Sequence, residues 1–341
     1  MKILLTGIDG YIGTVLGQEL IKAGHTVVGL DTGYYSESWL YDLPDFRKPQ
    51  VIKKDIRNVT EEDLTGFDTV VHLAELSNDP VGENAPEVTY DINHEGTKNL
   101  ATLAKQAGVS RFIYFSSCSV YGASDNIADE NSLTNPLTAY AKSKVLNEQF
   151  LQSIADDSFS PIIFRNATVY GASPRLRFDL VVNNLSGLAY TTKEIKMDSD
   201  GTPWRPLVHI LDVCQAVLLA LNTPKEQIHN RIINVGDTNS NYQIKDIAEI
   251  IRNTFEGCSV SLNKNGADKR NYRVNFDKIK TVLPGFSCKY DVTSGAKELL
   301  DIFTKVNLTR EDFESRNYTR LKQIKYLLEE NKINKDFFWE T

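Results

Sequence analysis

Cysteine is sparse in this chain: Cys118, Cys214, Cys258 and Cys288 are the four among 341 residues, widely spread and with no C-x-x-C pairing. Neither a disulfide framework nor a cysteine zinc site follows. The histidines His25, His72, His94, His209 and His229 are as scattered, so no metal is expected. No apolar run reaches the roughly 20 residues that a membrane helix needs. The opening MKILLTG has one lysine and a short apolar run before glycine, the pattern of a buried first strand and not of a secretory leader. A cytoplasmic protein without a membrane partner is expected. Positive charge is also in short supply, with 38 Lys and Arg against 45 Asp and Glu, a net charge of -7 and a pI near 5.4. That balance excludes a general nucleic-acid binder, which needs a basic face to neutralise phosphates. A few arginines in an acidic protein still suffice for a small anionic ligand.

What is present is ordinary globular composition, 41% hydrophobic and 24% charged, in a chain long enough to divide into two domains. The first half alternates strand and helix signals. KILLT, HTVVGLD, VIKKDI, FDTVVHLAE, RFIYFSS and PIIFRNA read as strands; YIGTVLGQELIKAG, NHEGTKNLATLAKQAG and TAYAKSKVLNEQFLQSIA carry helical spacing. Such alternation predicts an α/β fold, a Rossmann-like doubly wound parallel sheet covered on both faces. From about Tyr170 longer polar connections take over, so residues 171–341 are expected to form a smaller substrate-binding lobe after a cofactor-binding domain over 1–170. Segments around 207–237 are expected to return to the first domain. The ending RLKQIKYLLEENKINKDFFW is amphipathic and reads as a docking helix.

Between the first strand and first helix stands TGIDGYIG, with Gly7, Gly10 and Gly13 spaced by three. Glycines there permit a tight turn, close approach of backbone to a pyrophosphate, and close packing of helix on sheet. The second strand ends at Asp31, which can accept both adenosine ribose hydroxyls and would repel a 2′-phosphate. TGYYSESW, which follows, offers no arginine or lysine to such a phosphate, so NAD is expected over NADP. Asp55, in KKDIRN, can reach the adenine edge beside Ile56 or cap a helix. Tyr140 and Lys144, in YAKSK, are four apart and share a helix face. They form either a surface pair or a proton-transfer device in which the cation favours the phenolate.

Taken in order, TGIDGYIG, Asp31, VVHLAE, DINHEGTKNL, FSSCSVYG, YAKSK and RPLVHILDV resemble the extended short-chain dehydrogenase/reductase superfamily, specifically its NAD-dependent nucleotide-sugar epimerase/dehydratase family. The resemblance implies catalytic roles for Ser117, Tyr140 and Lys144, with Ser116 or Ser119 as stand-ins for Ser117. The serine would bond the reacting sugar oxygen, the tyrosine exchange its proton, and the lysine bind the nicotinamide ribose while holding the tyrosine pKa down. It adds Tyr11, Ile12, Leu73, Ala74 and Asn93 to the cofactor contacts, although a buried asparagine more commonly satisfies neighbouring backbone. The 4,6-dehydratases of the family carry an Asp-Glu pair where this chain has Cys118 and Ser119, which disfavours dehydration.

On the substrate side, the resemblance of WRPLVH gives a diphosphate to Arg205, and DKRNYR offers Asp268 and Arg270 as nucleotide contacts or as a solvated ion pair. SPRLRFDLVVNN resembles a subgroup that includes heptose-nucleotide oxidoreductases and implies Arg175, Arg177 and Asn183 near the substrate cleft; FRNATVYG adds Asn166 and Thr168 near nicotinamide or sugar. The implied substrate is a nucleoside-diphosphate sugar, and the implied reaction an epimerisation, at C4 in that family's pattern. The alternatives are a 4-ketoreductase or 4-dehydrogenase and a non-catalytic NAD(H) sensor. A homodimer through helices near 88–107 and 138–155 is also implied.

Overall fold

Runs rich in Val, Ile and Leu, each closed by glycine or a short polar turn, become buried parallel strands. The computed structural model describes residues 1–197, 199–263 and 270–340. Seven strands, β1 (Lys2–Thr6), β2 (Thr26–Asp31), β3 (Gln50–Lys53), β4 (Thr69–His72), β5 (Arg111–Ser117), β6 (Ser160–Asn166) and β7 (Arg231–Val235), form one sheet. Its order is β7-β6-β5-β4-β1-β2-β3 and every pairing is parallel. The chain reverses its direction of winding between β1 and β4, and a crevice opens at the carboxyl ends of the strands there.

Side-chain alternation along β1 separates the two faces. Ile3 and Leu5 pack with Leu16 and Leu20 of the helix Tyr11–Lys22 and with Val213 and Val217 of the helix Ile210–Asn222. Leu4, with Val28 and Val70 opposite it in register, faces Leu100 and Leu151 of the helices Gly96–Gln106 and Ala139–Ile154. Each such fully buried side chain contributes roughly 1.5–3 kcal/mol. RIINVGD does return to the main sheet, as edge strand β7. Beyond it lie smaller sheets: Trp204–His209 between Thr168–Tyr170 and Asn241–Gln243, Ser259–Leu262 beside Glu194–Met197, and Asn271–Val274 beside Ala123–Ala128.

The helix expected to begin near Asn93 starts earlier. Pro86–Tyr90, a widened π turn over Asp91–Glu95, and Gly96–Gln106 follow one another without a break, with Pro86 where a missing N–H costs nothing. The C-terminal helix Arg320–Glu329 docks, as its amphipathic pattern implied: Ile324 and Leu327 enter the Leu4 face of the core, joined by Ile333 and Phe337 of the tail. Among the described residues no helix is long and apolar enough to cross a membrane.

Candidate active site

The glycine triplet makes a cradle that no larger residue would fit. Gly7 has φ +73°, and a β-carbon on Gly13 would lie 2.0 Å from the Gly7 carbonyl oxygen. The helix Tyr11–Lys22 can therefore start hard against the β1 turn, with Gly10 as N-cap and with Tyr11, Ile12 and Gly13 lining the cleft. Tyr11 is locked in place, its hydroxyl donating to the Gly171 carbonyl at 2.8 Å. At the end of β2, Asp31 accepts from the Gly33 and Asp9 amides at 2.8 and 3.1 Å. Burial pushes its carboxyl up to about 6 against those bonds, and each oxygen keeps further acceptor capacity. Asp55 does cap the turn Ile56–Asn58, accepting from Arg57 N at 2.8 Å and pairing with the Arg57 guanidinium. It also lines the cleft with Ile56, Leu73 and Ala74.

The chemistry end lies where β5 and the helix Ala139–Ile154 meet. Ser117 closes β5 and accepts from Ser119 N at 3.1 Å; Tyr140 stands in the helix's first turn, capped by Thr138. Behind the strand end, Arg165 forks onto Glu148 at 3.0 and 2.6 Å, and Ser116 donates to the same carboxylate at 2.5 Å. This buried set ties β5, β6 and the helix together, so the positions of Ser117 and Tyr140 are coupled. Cys118 turns away, donating to the Arg165 carbonyl, and Ser119 faces the cleft with a buried hydroxyl that has no hydrogen-bond partner among the described residues.

Lys144 is held between several partners. Its ammonium is 5.4 Å from the Tyr140 ring centroid, but it is paired with Glu75 at 2.7 Å and donates to the Phe115 carbonyl. Glu75 in turn accepts from Tyr114 OH at 2.7 Å. That carboxylate meets the lysine's charge beside the phenol. Burial, then Glu75 and Asp79, push the Tyr140 phenol up; a hydrogen bond with Ser117 and the charge of Arg177 pull it partly back. Glu75 is a cleft residue that sequence reasoning passed over, hidden at the end of VVHLAE. Asn93 does not line the cleft: its amide accepts from Leu76 N and donates to Leu76 O, bracing the loop after β4.

At the far end Arg205 lies over Tyr272 and donates to the Trp204 and Arg270 carbonyls. Arg270 pairs with Asp79 at 2.7 Å, and Asp79 accepts from Thr138, the cap of the tyrosine helix. Asp268 lies outside the described residues. Asn166 and Thr168 line the cleft between the two ends, and the buried Asn166 Oδ1 has no hydrogen-bond partner among the described residues. Arg177 lines it too, forked onto Asp179 at 2.9 and 3.1 Å. Arg175 and Asn183 do not reach it. Arg175 turns toward Asp9 and the Ser38 carbonyl, stapling the loop after β2, because an acidic partner there offsets its buried charge. Asn183 is a buried spacer between Gly171 N, Tyr11 OH and the Arg177 carbonyl.

These residues fit a nicotinamide dinucleotide. The cradle has room for backbone-to-phosphate approach and none for a β-carbon, Asp31 stands where a ribose acceptor is needed, and unpartnered polar atoms on Ser119 and Asn166 await a ligand at the other end. A parallel sheet with this cradle at its switch point, opening directly onto a tyrosine and a serine, belongs to the class of Rossmann-fold enzymes that work on a substrate beside a bound dinucleotide. The chain is a member of the NAD dependent epimerase/dehydratase family, whose model matches residues 3–236. It is an enzyme and its cofactor is NAD. The UDP-glucose 4-epimerase of Corynebacterium glutamicum is 30% identical over 271 residues, 74% of this chain and 80% of that protein. The UDP-glucuronic acid 4-epimerase of Bacillus cereus, solved with UDP-glucuronic acid and NAD, is 26% identical with a TM-score of 0.77, covering 90% of this chain and all of that one. The NDP-hexosamine 5,6-dehydratase TunA superposes with a TM-score of 0.78 over 89% of this chain and 98% of its own; at 24% identity that likeness concerns the fold alone.

Proposed function

We propose that this enzyme is an NAD-dependent nucleotide-sugar 4-epimerase with Ser117, Tyr140 and Lys144 as its catalytic set. The observation that carries the reading is the continuity of one cleft, from the glycine cradle past Ser117 and Tyr140 to the arginines Arg205 and Arg270. A sugar carrying a diphosphate tail suits that length, with the tail at the guanidinium end and the reacting hydroxyl at the phenol. NAD supplies a reversible hydride acceptor. The work of the chain itself is positional and protic: Ser117 holds the sugar oxygen by a hydrogen bond, and Tyr140 takes its proton on oxidation and returns it on reduction. Lys144 keeps a positive charge beside the phenol and the nicotinamide ribose. Asn166 and Thr168 offer polar contacts to the sugar, and turnover of the keto-sugar within the cleft exposes its other face. Cys118, buried with its thiol pushed well up, and Ser119 are a poor acid-base pair, which argues against dehydration. The protein acts in the cytoplasm as a homodimer through the helices near 88–107 and 138–155; a monomeric mass in light scattering would refute the dimer.

Tyr140→Phe tests the chemistry. Turnover of UDP-sugars is expected to fall about 10²- to 10⁴-fold, the usual contribution of a positioned acid-base group, with NAD still bound. Undiminished turnover would remove Tyr140 from the mechanism.

A further inference from the structure

The mechanism leaves unused a buried cation that lines the cleft. Arg320, the first residue of the C-terminal helix Arg320–Glu329, is 5% exposed and lines the cofactor cleft. Its guanidinium lies 3.6 Å from the ring centroid of Tyr35. It makes no hydrogen bond or ion pair with a described residue. A buried guanidinium carries five donors that ordinarily find acceptors. Here the surrounding charges do not settle it: burial and then the charge of Arg177 bring its pKa down to about 10, with Tyr35 and the Asp179 and Asp31 carboxylates opposing them. Of those neighbours Arg177 and Asp179 are already paired with each other.

Its position says what it awaits. Asp31 marks the adenosine ribose and Tyr140 the nicotinamide end; Arg320 feels the charges of Asp31 and of Arg177, and Arg177 in turn acts on Tyr140, so Arg320 belongs to the stretch between them where the two phosphates of the dinucleotide must run. We infer that Arg320 is a cofactor-binding residue that clamps the NAD pyrophosphate from the side opposite the glycine cradle. The inference rests on the NAD-binding reading above and adds to it a contact from the far end of the chain. A forked guanidinium can meet two phosphate oxygens at once.

The rest of the tail is fastened to the adenosine side. Gln323 donates to the Tyr34 carbonyl at 2.8 Å, and Trp339 Nε1 donates to the Thr32 carbonyl at 2.7 Å. Arg57, beside the Asp55 turn, donates to the Asp336 carbonyl at 2.8 Å. Residues 320–340 thus strap the loop that follows Asp31, and Arg320 is the point at which the strap reaches the ligand. Release of NAD then requires the strap to loosen, which suits an enzyme that recycles its cofactor within one cleft.

The test is binding, measured by calorimetry on cofactor-stripped full-length protein with NAD, ADP-ribose and adenosine. Arg320→Gln is expected to weaken NAD and ADP-ribose about 10- to 100-fold, the range of a charge-assisted contact, and to leave adenosine unchanged. Arg320→Lys, which keeps the charge and loses the fork, should fall between. Equal affinities in wild type and Arg320→Gln, or an equal loss for all three ligands, would overturn the inference. Hydrogen exchange on the wild type guards against misfolded variants: NAD should protect amides over 320–340, and no change there would equally overturn it. A wild type that binds no NAD would instead refute the cofactor reading on which the inference rests.

Discussion

Replacing Glu75 by glutamine should make Tyr140 a better base at low pH. The glutamine keeps the shape and can still accept from Tyr114, but it removes the charge that Lys144 now meets at 2.7 Å. An uncompensated ammonium 5.4 Å from the tyrosine ring stabilises the phenolate by about 3 kcal/mol at an effective dielectric constant of about 20, or about two pKa units. This is the same effect seen from the carboxylate, whose charge raises the Tyr140 pKa and whose loss leaves the attraction of the ammonium unopposed. Some of the gain is offset, because Lys144 is buried, burial lowers its own pKa, and it loses the carboxylate that raises it. A net fall of about one to two units is expected. In kcat/KM against pH, the limb that rises as the phenol ionises should move to lower pH by that amount, while the limb on which Lys144 loses its proton also moves down, so the whole bell shifts to lower pH. Ultraviolet titration of the tyrosinate gives a readout independent of turnover. A limb that stays fixed or moves to higher pH would refute the claim that Glu75 governs the charge Tyr140 feels.

Two further outcomes follow from the same geometry. Asp31, pushed up to about 6 by burial, binds its proton more tightly folded than unfolded, so its ionisation costs stability as pH rises through about 6, a cost relieved below it; the ionised acceptor that NAD needs is lost in that same acid range. NAD affinity is therefore expected to weaken up to about tenfold per pH unit below about 6. Asp31→Asn should bind NAD more weakly by about 1.5–3 kcal/mol and show no such dependence in calorimetry. Glu148→Gln leaves the buried Arg165 without its forked partner and should cost about 3–5 kcal/mol in urea unfolding; a loss below about 1 kcal/mol would show that the pair is not what ties β5 to its helix.

The fold was legible because its signals are local. KILLT and TVVGLD are buried on both faces and read as apolar runs, and TGIDGYIG announces its turn by glycine spacing alone. Tyr140 and Lys144 were legible for the same reason, four residues apart on one helix. Glu75, Arg320 and Arg175 were not. Glu75 lies in the loop three residues past β4, and nothing nearby in the chain betrays that Lys144 will meet it. Arg320 was legible as part of a docking helix, but not as a charge delivered to the cleft, since its helix reaches β2 only after the whole sheet is built. Arg175 was assigned to the sugar by its neighbours in SPRLRFD; a long-range pairing with Asp9 claims it instead. Site residues defined by contacts distant in sequence are the ones a linear pattern conceals.

The most direct test of the account is to release and identify the nicotinamide nucleotide from purified protein, then offer native enzyme UDP-, dTDP-, CDP- and GDP-sugars while following NADH absorbance and sugar configuration. Bound NAD near one per chain, with isomerised sugar and no net change in NADH, is the expected result. NADH formed or consumed in step with oxidised or reduced sugar would contradict the epimerase and make the enzyme a dehydrogenase or ketoreductase.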